Sequence, residues 1–307
     1  MKFKNYICAV FLFSVLLCGC NNVPSASSDT EISYTQNNYT YAEGWKNYTV
    51  LVCDNSDAPE FSDTIKVEYS LADKEGYENV EPTVKDNVIF KSKEISLTYN
   101  SQTFYPFNYY PVYEYYGDDG CSYKLDPWGK VVGYSSKVSN TDTESTAKIS
   151  EEAALEKAKD FIKDFIDVSE YSAEISKAKY GNGYTIIFTK YVGNIETTDY
   201  LTVDMKADGE IDSFLGHTLG QVPTTADVGK IDLPAVKSAI VKRMEELCKE
   251  KIEECDYYNI NDPYIRLTVL KNGDLGLLAE VDIEFNTLSG EYVLCDGFLT
   301  TVVVEIN

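Results

Sequence analysis

The feature that most constrains this chain is a plan that occurs twice: one capped amphipathic helix followed by a run of strands. In the first copy Ser150 stands at an N-cap position, with Glu151 and Glu152 at the positive end of the helix dipole. Ala154, Ala158, Phe161 and Phe165, flanked by Leu155, Ile162 and Ile166, give that helix one broad apolar face. Strands are predicted over 184–189, 200–204 and 210–214, punctuated by Gly181-Asn182-Gly183 and Asp208-Gly209. In the second copy Asp232 is the cap, Pro234 is tolerated in the first turn, and Val236, Ala239, Ile240, Met244 and Leu247 form the stripe. Strands are predicted over 264–270, 276–285 and 291–306, the first two joined at Asn272-Gly273 in hairpin style.

The repetition reaches local detail. Gly129-Lys130-Val131-Val132-Gly133-Tyr134 matches Gly209-Glu210-Ile211-Asp212-Ser213-Phe214 in pattern, and each leads through a linker to Lys148-Ile149-Ser150 or Lys230-Ile231-Asp232. A unit of about 80 residues is too long for a solenoid repeat. A helix with one apolar face and alternating strands should pack as a helix across a meander. The expected fold class is therefore α+β, with two tandem helix-on-antiparallel-sheet units at 147–220 and 230–307. Ahead of them, 47–140 is predicted to be a β-rich module, from runs such as Tyr48-Thr49-Val50-Leu51-Val52 and Glu94-Ile95-Ser96-Leu97-Thr98-Tyr99. It closes in two hairpins, turning at Gly117-Asp118-Asp119-Gly120 and Asp126-Pro127-Trp128-Gly129.

A cap near Glu-Glu-Ala, then Tyr-x-Ile-x-Phe, Leu-x-Val-Asp and Gly-x-Ile-x-x-Phe, resembles PepSY-type domains over Tyr123–Leu219 and, more loosely, Ile231–Asn307. That pattern is structural and contains no chemical residues. The resemblance implies a non-catalytic role, peptidase inhibition or surface interaction among them, and carries over no site.

At the N-terminus Lys2 and Lys4 precede an apolar run, Tyr6 to Leu17. At about a dozen residues it is the length of an export signal and short of the roughly 20 that cross a bilayer. It ends in Leu17-Cys18-Gly19-Cys20, which resembles the bacterial lipoprotein lipobox. The resemblance implies removal of 1–19, a lipid on the Cys20 thiol, and attachment at the outer face of a bacterial cell membrane. Two acyl chains, at about 0.8 kcal/mol per buried methylene, hold where one would only visit. The alternative is a secretory leader cut near Ser25-Ala26-Ser27, which would leave the protein free. Residues 20–46, rich in Asn, Ser, Thr and Asp, read as a flexible tether.

Charge narrows the partners. With 27 basic and 50 acidic residues the formal net charge is −23, and the two arginines, Arg243 and Arg266, make no basic patch. Nucleic acid and anionic headgroups are repelled. Beyond Cys20 the mature chain keeps Cys53, Cys121, Cys248, Cys255 and Cys295, with no Cys-x-x-Cys and one distant histidine, which argues against zinc. Cys248 and Cys255 on one continuous helix would lie roughly 10 Å apart, too far for a disulfide. The five are expected as thiols, with one loose pair outside the helix as the alternative.

Tyr109, Tyr110, Tyr113, Tyr115 and Tyr116 are the centre of the densest aromatic cluster. Such rings can form a platform for glycan or peptide; alternate tyrosines packing a sheet core are the competing expectation. Asp204, Asp208, Gly209, Glu210 and Asp212 half-resemble a calcium loop, but Lys206 and Leu215 occupy ligand positions, and a hairpin turn explains Asp-Gly better. His217 is expected to be an exposed loop histidine, with no nucleophile elbow to partner it. No catalytic residue, metal or cofactor is assigned. The expectation is a lipid-anchored, non-enzymatic surface protein that binds a protein or peptide partner, with peptidase modulation as one form of that role. The alternatives are a solute- or glycan-binding lipoprotein, or a carboxylate-based hydrolase.

Overall fold

The computed structural model describes residues 48–53, 66–71, 87–104, 110–137, 149–178, 183–217, 221–290 and 292–306. The leader, Cys20, the tether and Tyr109 lie outside the described residues. The strands are β1 (Tyr48–Val52), β2 (Asn87–Phe90), β3 (Lys93–Thr103), β4 (Val112–Gly117), β5 (Ser122–Leu125), β6 (Val131–Ser135) and β7 (Tyr171–Lys177). They continue with β8 (Tyr184–Val192), β9 (Ile195–Met205), β10 (Ile211–His217), β11 (Tyr257–Ile260), β12 (Tyr264–Val269), β13 (Leu275–Ser289) and β14 (Tyr292–Ile306). The helices are α1 (Glu151–Ile162), α2 (Leu233–Leu247) and the short α3 (Lys249–Glu254).

The expected α+β pair of PepSY-like helix-on-sheet units is not what forms. The described residues are mostly β, and all 14 strands join one mixed sheet, in the order β1-β14-β13-β12-β9-β10-β6-β5-β4-β3-β2. Beside that path β11 lies on β13, and β7 reaches β9 through β8. The physical reason is edge pairing. β10 pairs with β9 only from Tyr200 to Met205, so the start of β9 has backbone N–H and C=O groups free on that side for β12 to meet. β9 pairs with β12 in parallel at Thr197 and Leu267. Pairing also crosses the expected domain boundaries, because β1 adds to β14 from Tyr48↔Ile306 to Val52↔Val302, and β6 adds to β10.

Local signals hold where they are chemical. Ser150 Oγ accepts from Ala153 N–H and Asp232 Oδ1 from Ala235 N–H, each at 3.2 Å. The helix after Asp232 stops at Cys248, whose backbone leaves helical geometry, and α3 begins beyond it. Cys248 and Cys255 therefore do not share one uninterrupted helix, and all five described cysteines are free thiols.

Two large cores lie along the sheet, beside a small third cluster of Cys53, Leu270, Leu278 and Val303. In the first, Ala154, Ala158 and Ile162 of α1 cover Tyr113, Tyr115, Tyr123, Phe188, Leu201 and Phe214. In the second, Val236, Ile240 and Met244 of α2 cover Leu267, Leu277, Val281, Val302 and Val304, together with Val50 and Val52 of β1. Val192 and Ile195, at the β8–β9 turn, are packed into the second core, so a hairpin begun in the first half completes the other.

The junction is made by an irregularity in β9. Thr189 pairs with Tyr200 and Tyr191 with Glu196, leaving Thr197, Thr198 and Asp199 opposite Lys190 alone. Thr197 Oγ1 accepts from Asp199 N–H at 3.0 Å, and the Thr198 and Thr268 hydroxyls meet at 3.0 Å across to β12. No helix among the described residues is long and apolar enough to cross a membrane.

Candidate binding surface

The tyrosines singled out in sequence separate by strand parity. Tyr113 and Tyr115, two apart on β4, share the face that α1 covers, and each is 2% exposed. Tyr110 is buried with its ring edge-on to Trp128. Tyr116 points the other way and is 55% exposed. Of the four described members only Tyr116 is open to solvent, so core packing accounts for the other three. The Asp-Gly segment forms the β9–β10 turn, where Gly209 takes φ +85° and Asp208 accepts from Glu210 N–H. Asp204 is held by the hydroxyls of Thr185 and Ser213, and Lys206 pairs with Glu210 and Asp212.

His217 is not an exposed loop residue. It ends β10 opposite Tyr200, and the two rings stack with centroids 4.5 Å apart. Burial, with Arg266 and Lys124 nearby, lowers its pKa from 6.5 to about 4, so the imidazole is neutral at pH 7. Beside it Arg266 binds Glu196 at 3.1 Å and Glu280 at 3.5 Å, and its guanidinium stands over the rings of Tyr264 and Tyr200. Tyr264 O–H also donates to Glu196, and burial together with that bond pushes its pKa up to about 12. The cluster ties β9, β10, β12 and β13 together. Arg266 is already engaged by two carboxylates, which suits bracing of the junction better than capture of an anion.

Lys190, almost fully buried, lies 2.9 Å from Glu170 and 3.8 Å from the buried Asp199. Tyr171 beside this group has its pKa raised by burial and then by the charge of Asp199.

The most exposed apolar surface is one that sequence reasoning passed over. β13 and β14 pair without a register break from Gly276↔Glu305 to Ser289↔Tyr292. β11 supports β13 only as far as Asn286, and β1 supports β14 only from Val302. The far end is thus a two-stranded ribbon, on which Leu288, Tyr292, Val293 and Leu294 are 51%, 76%, 50% and 59% exposed. Leu288 and Val293 are directly opposite on one face, whereas Thr287 and Leu294 are opposite on the other. A soluble surface rarely gathers large apolar side chains this way unless something covers them. The available signal was the run Tyr292-Val293-Leu294, which alternation cannot assign to a single buried face.

Residues 89–218 match the model of a family described as the YcdB, YcdC repeated domain. The match runs from β2 through β10 and so takes in the first core with the strands on both sides of α1. No curated protein matches the chain. Among solved structures, the crystal structure of MucB in complex with MucA(peri) aligns with 73% of this chain at 8% identity and a TM-score of 0.11. The alignment spans 61% of that structure's chain, and at that score the folds are not shown to be alike.

Proposed function

We propose that this chain is a lipid-anchored, non-enzymatic protein of the outer face of a bacterial cell membrane, and that it binds a protein or peptide partner there. The observation that carries the binding half is the β13–β14 ribbon, whose apolar side chains stand in solvent on both faces. The anchoring half rests on Leu17-Cys18-Gly19-Cys20 behind a short apolar leader. The charged groups at the sheet junction are occupied with one another, which favours scaffold over chemistry.

The test is made in a bacterium expressing the full chain. An alkyne-tagged palmitate should label the protein, and Cys20→Ala should lose the label and leave the membrane fraction. A photo-cross-linking residue at Leu294 should give one discrete adduct, absent when the residue is placed at Glu156 on α1. A labelled Cys20→Ala protein, or adducts identical at both positions, would overturn the respective half.

A further inference from the structure

We infer that the open edge of β14, around Val293 and Cys295, is completed by an extended peptide in which lysine or arginine alternates with apolar residues. The inference rests on the partner-binding reading above and names the chemistry of that partner.

Backbone geometry supplies the first argument. Cys53 N–H donates to Thr301 O, so the carbonyl of Thr301 faces away from β13. Outward positions alternate along an antiparallel strand, which puts Leu299, Gly297, Cys295 and Val293 in the same orientation. Gly297 N–H is taken by the Asp296 carboxylate, at 2.9 Å. Among the described residues, Val293 and Cys295 keep outward N–H and C=O groups with no strand beside them. Exposed edges are ordinarily blunted by lysine, proline or a bulge. Tyr292–Ile306 contains neither residue, and its register with β13 is unbroken. Such an edge accepts a further strand through main-chain hydrogen bonds, while side chains above and below set the choice of partner.

Charge supplies the second. Cys295 has its thiol pKa raised by partial burial and then by Glu284, Asp296 and Asp282, which surround this edge. Lys251 offsets Asp296 from 3.3 Å, leaving the edge acidic on balance. A second copy of the same edge would bring these carboxylates together, on a chain whose net charge is −23. A cationic strand is attracted instead, and its apolar residues meet Val293 on one face or Leu294 on the other.

The experiment uses the full-length chain in detergent micelles and a fluorescent alternating Val-Lys peptide of about nine residues, one strand long. Anisotropy should rise on binding, and the Kd should weaken several-fold when salt is raised to about 0.5 M. N-methylation of alternate peptide amides should weaken binding at least about tenfold, without touching the protein. Cys295→Pro should do the same, since an outward N–H makes no bond to β13 and proline is tolerated at a sheet edge. An alternating Val-Glu peptide that binds equally well would overturn the inference, as would indifference to N-methylation. So would a dimer that Cys295→Pro dissolves. If no peptide binds while the Leu294 adduct persists in cells, the inference falls and the partner-binding reading stands; if the adduct is also missing, both fall.

Discussion

At the scale of single residues, Lys190 shows what the junction costs and contributes. Its ammonium is shared by Glu170 at 2.9 Å and by Asp199 at 3.8 Å, and Asp199 has no exposed surface. Removing one member of a buried ion pair leaves the other charge uncompensated, at about 3–5 kcal/mol. Lys190→Met should therefore lower the urea midpoint sharply, and adding Asp199→Asn should recover part of the loss. His217 gives a pH signature. Its folded pKa of about 4 lies below the ordinary 6.5, so between those values the unfolded chain binds the extra proton. The stabilisation is complete above pH 6.5 and is lost as pH falls toward 4, amounting to ~3 kcal/mol at most. His217→Gln should flatten the wild-type fall in stability across that window, measured by denaturation at several pH values. The sequence showed a lone histidine after a strand. Nothing in it showed that Tyr200 on the neighbouring strand would cover the ring, because stacking across a sheet depends on register.

At the scale of elements, chemistry written in adjacent residues was legible and geometry spread over several strands was not. Ser150 and Asp232 were readable as caps because a cap needs only a side-chain oxygen and the N–H three residues on. Ser150→Ala and Asp232→Ala should each cost about 1 kcal/mol, seen as a lower midpoint with an unchanged denaturant slope. The turn at Asn272-Gly273 was legible for a similar reason, with Gly273 at φ +87°. β11 went unread because four residues carry no usable period, whereas β7 was missed although Tyr171, Ala173 and Ile175 alternate with polar residues and pack on the first core. The ribbon also depends on a single glycine. A Cβ at Gly297 would lie 2.4 Å from the backbone oxygen of Ile283. Gly297→Ala should therefore push β14 from β13 at a cost of about 1–3 kcal/mol, with faster amide exchange on both sides of position 297.

At the scale of the whole molecule, a repeated helix-then-strands plan suggested two bodies, and the described residues instead build one sheet with two large cores and one small one. Alternation says which face of a strand is buried but never which strand lies beside it. The β1–β14 and β9–β12 pairings were therefore beyond reach of pattern alone. The β9–β12 contact rests on one parallel pair, the Thr198–Thr268 hydroxyl bond and the Arg266 bridge from Glu196 to Glu280. Thr198→Val combined with Arg266→Met should weaken that contact more than either core. Amide exchange followed by mass spectrometry should then show β13 and β8 opening at different denaturant concentrations, where the parent opens both together.

The pairing of Tyr48 with Ile306 also decides how the body answers to traction. Tension arriving through the chain ahead of Tyr48 bears on the outermost rung of the β1–β14 ladder, and strain passes inward rung by rung toward Val52. A ladder loaded from its end yields like a zipper, so β1 would detach under a modest pull and leave the long β13–β14 hairpin whole.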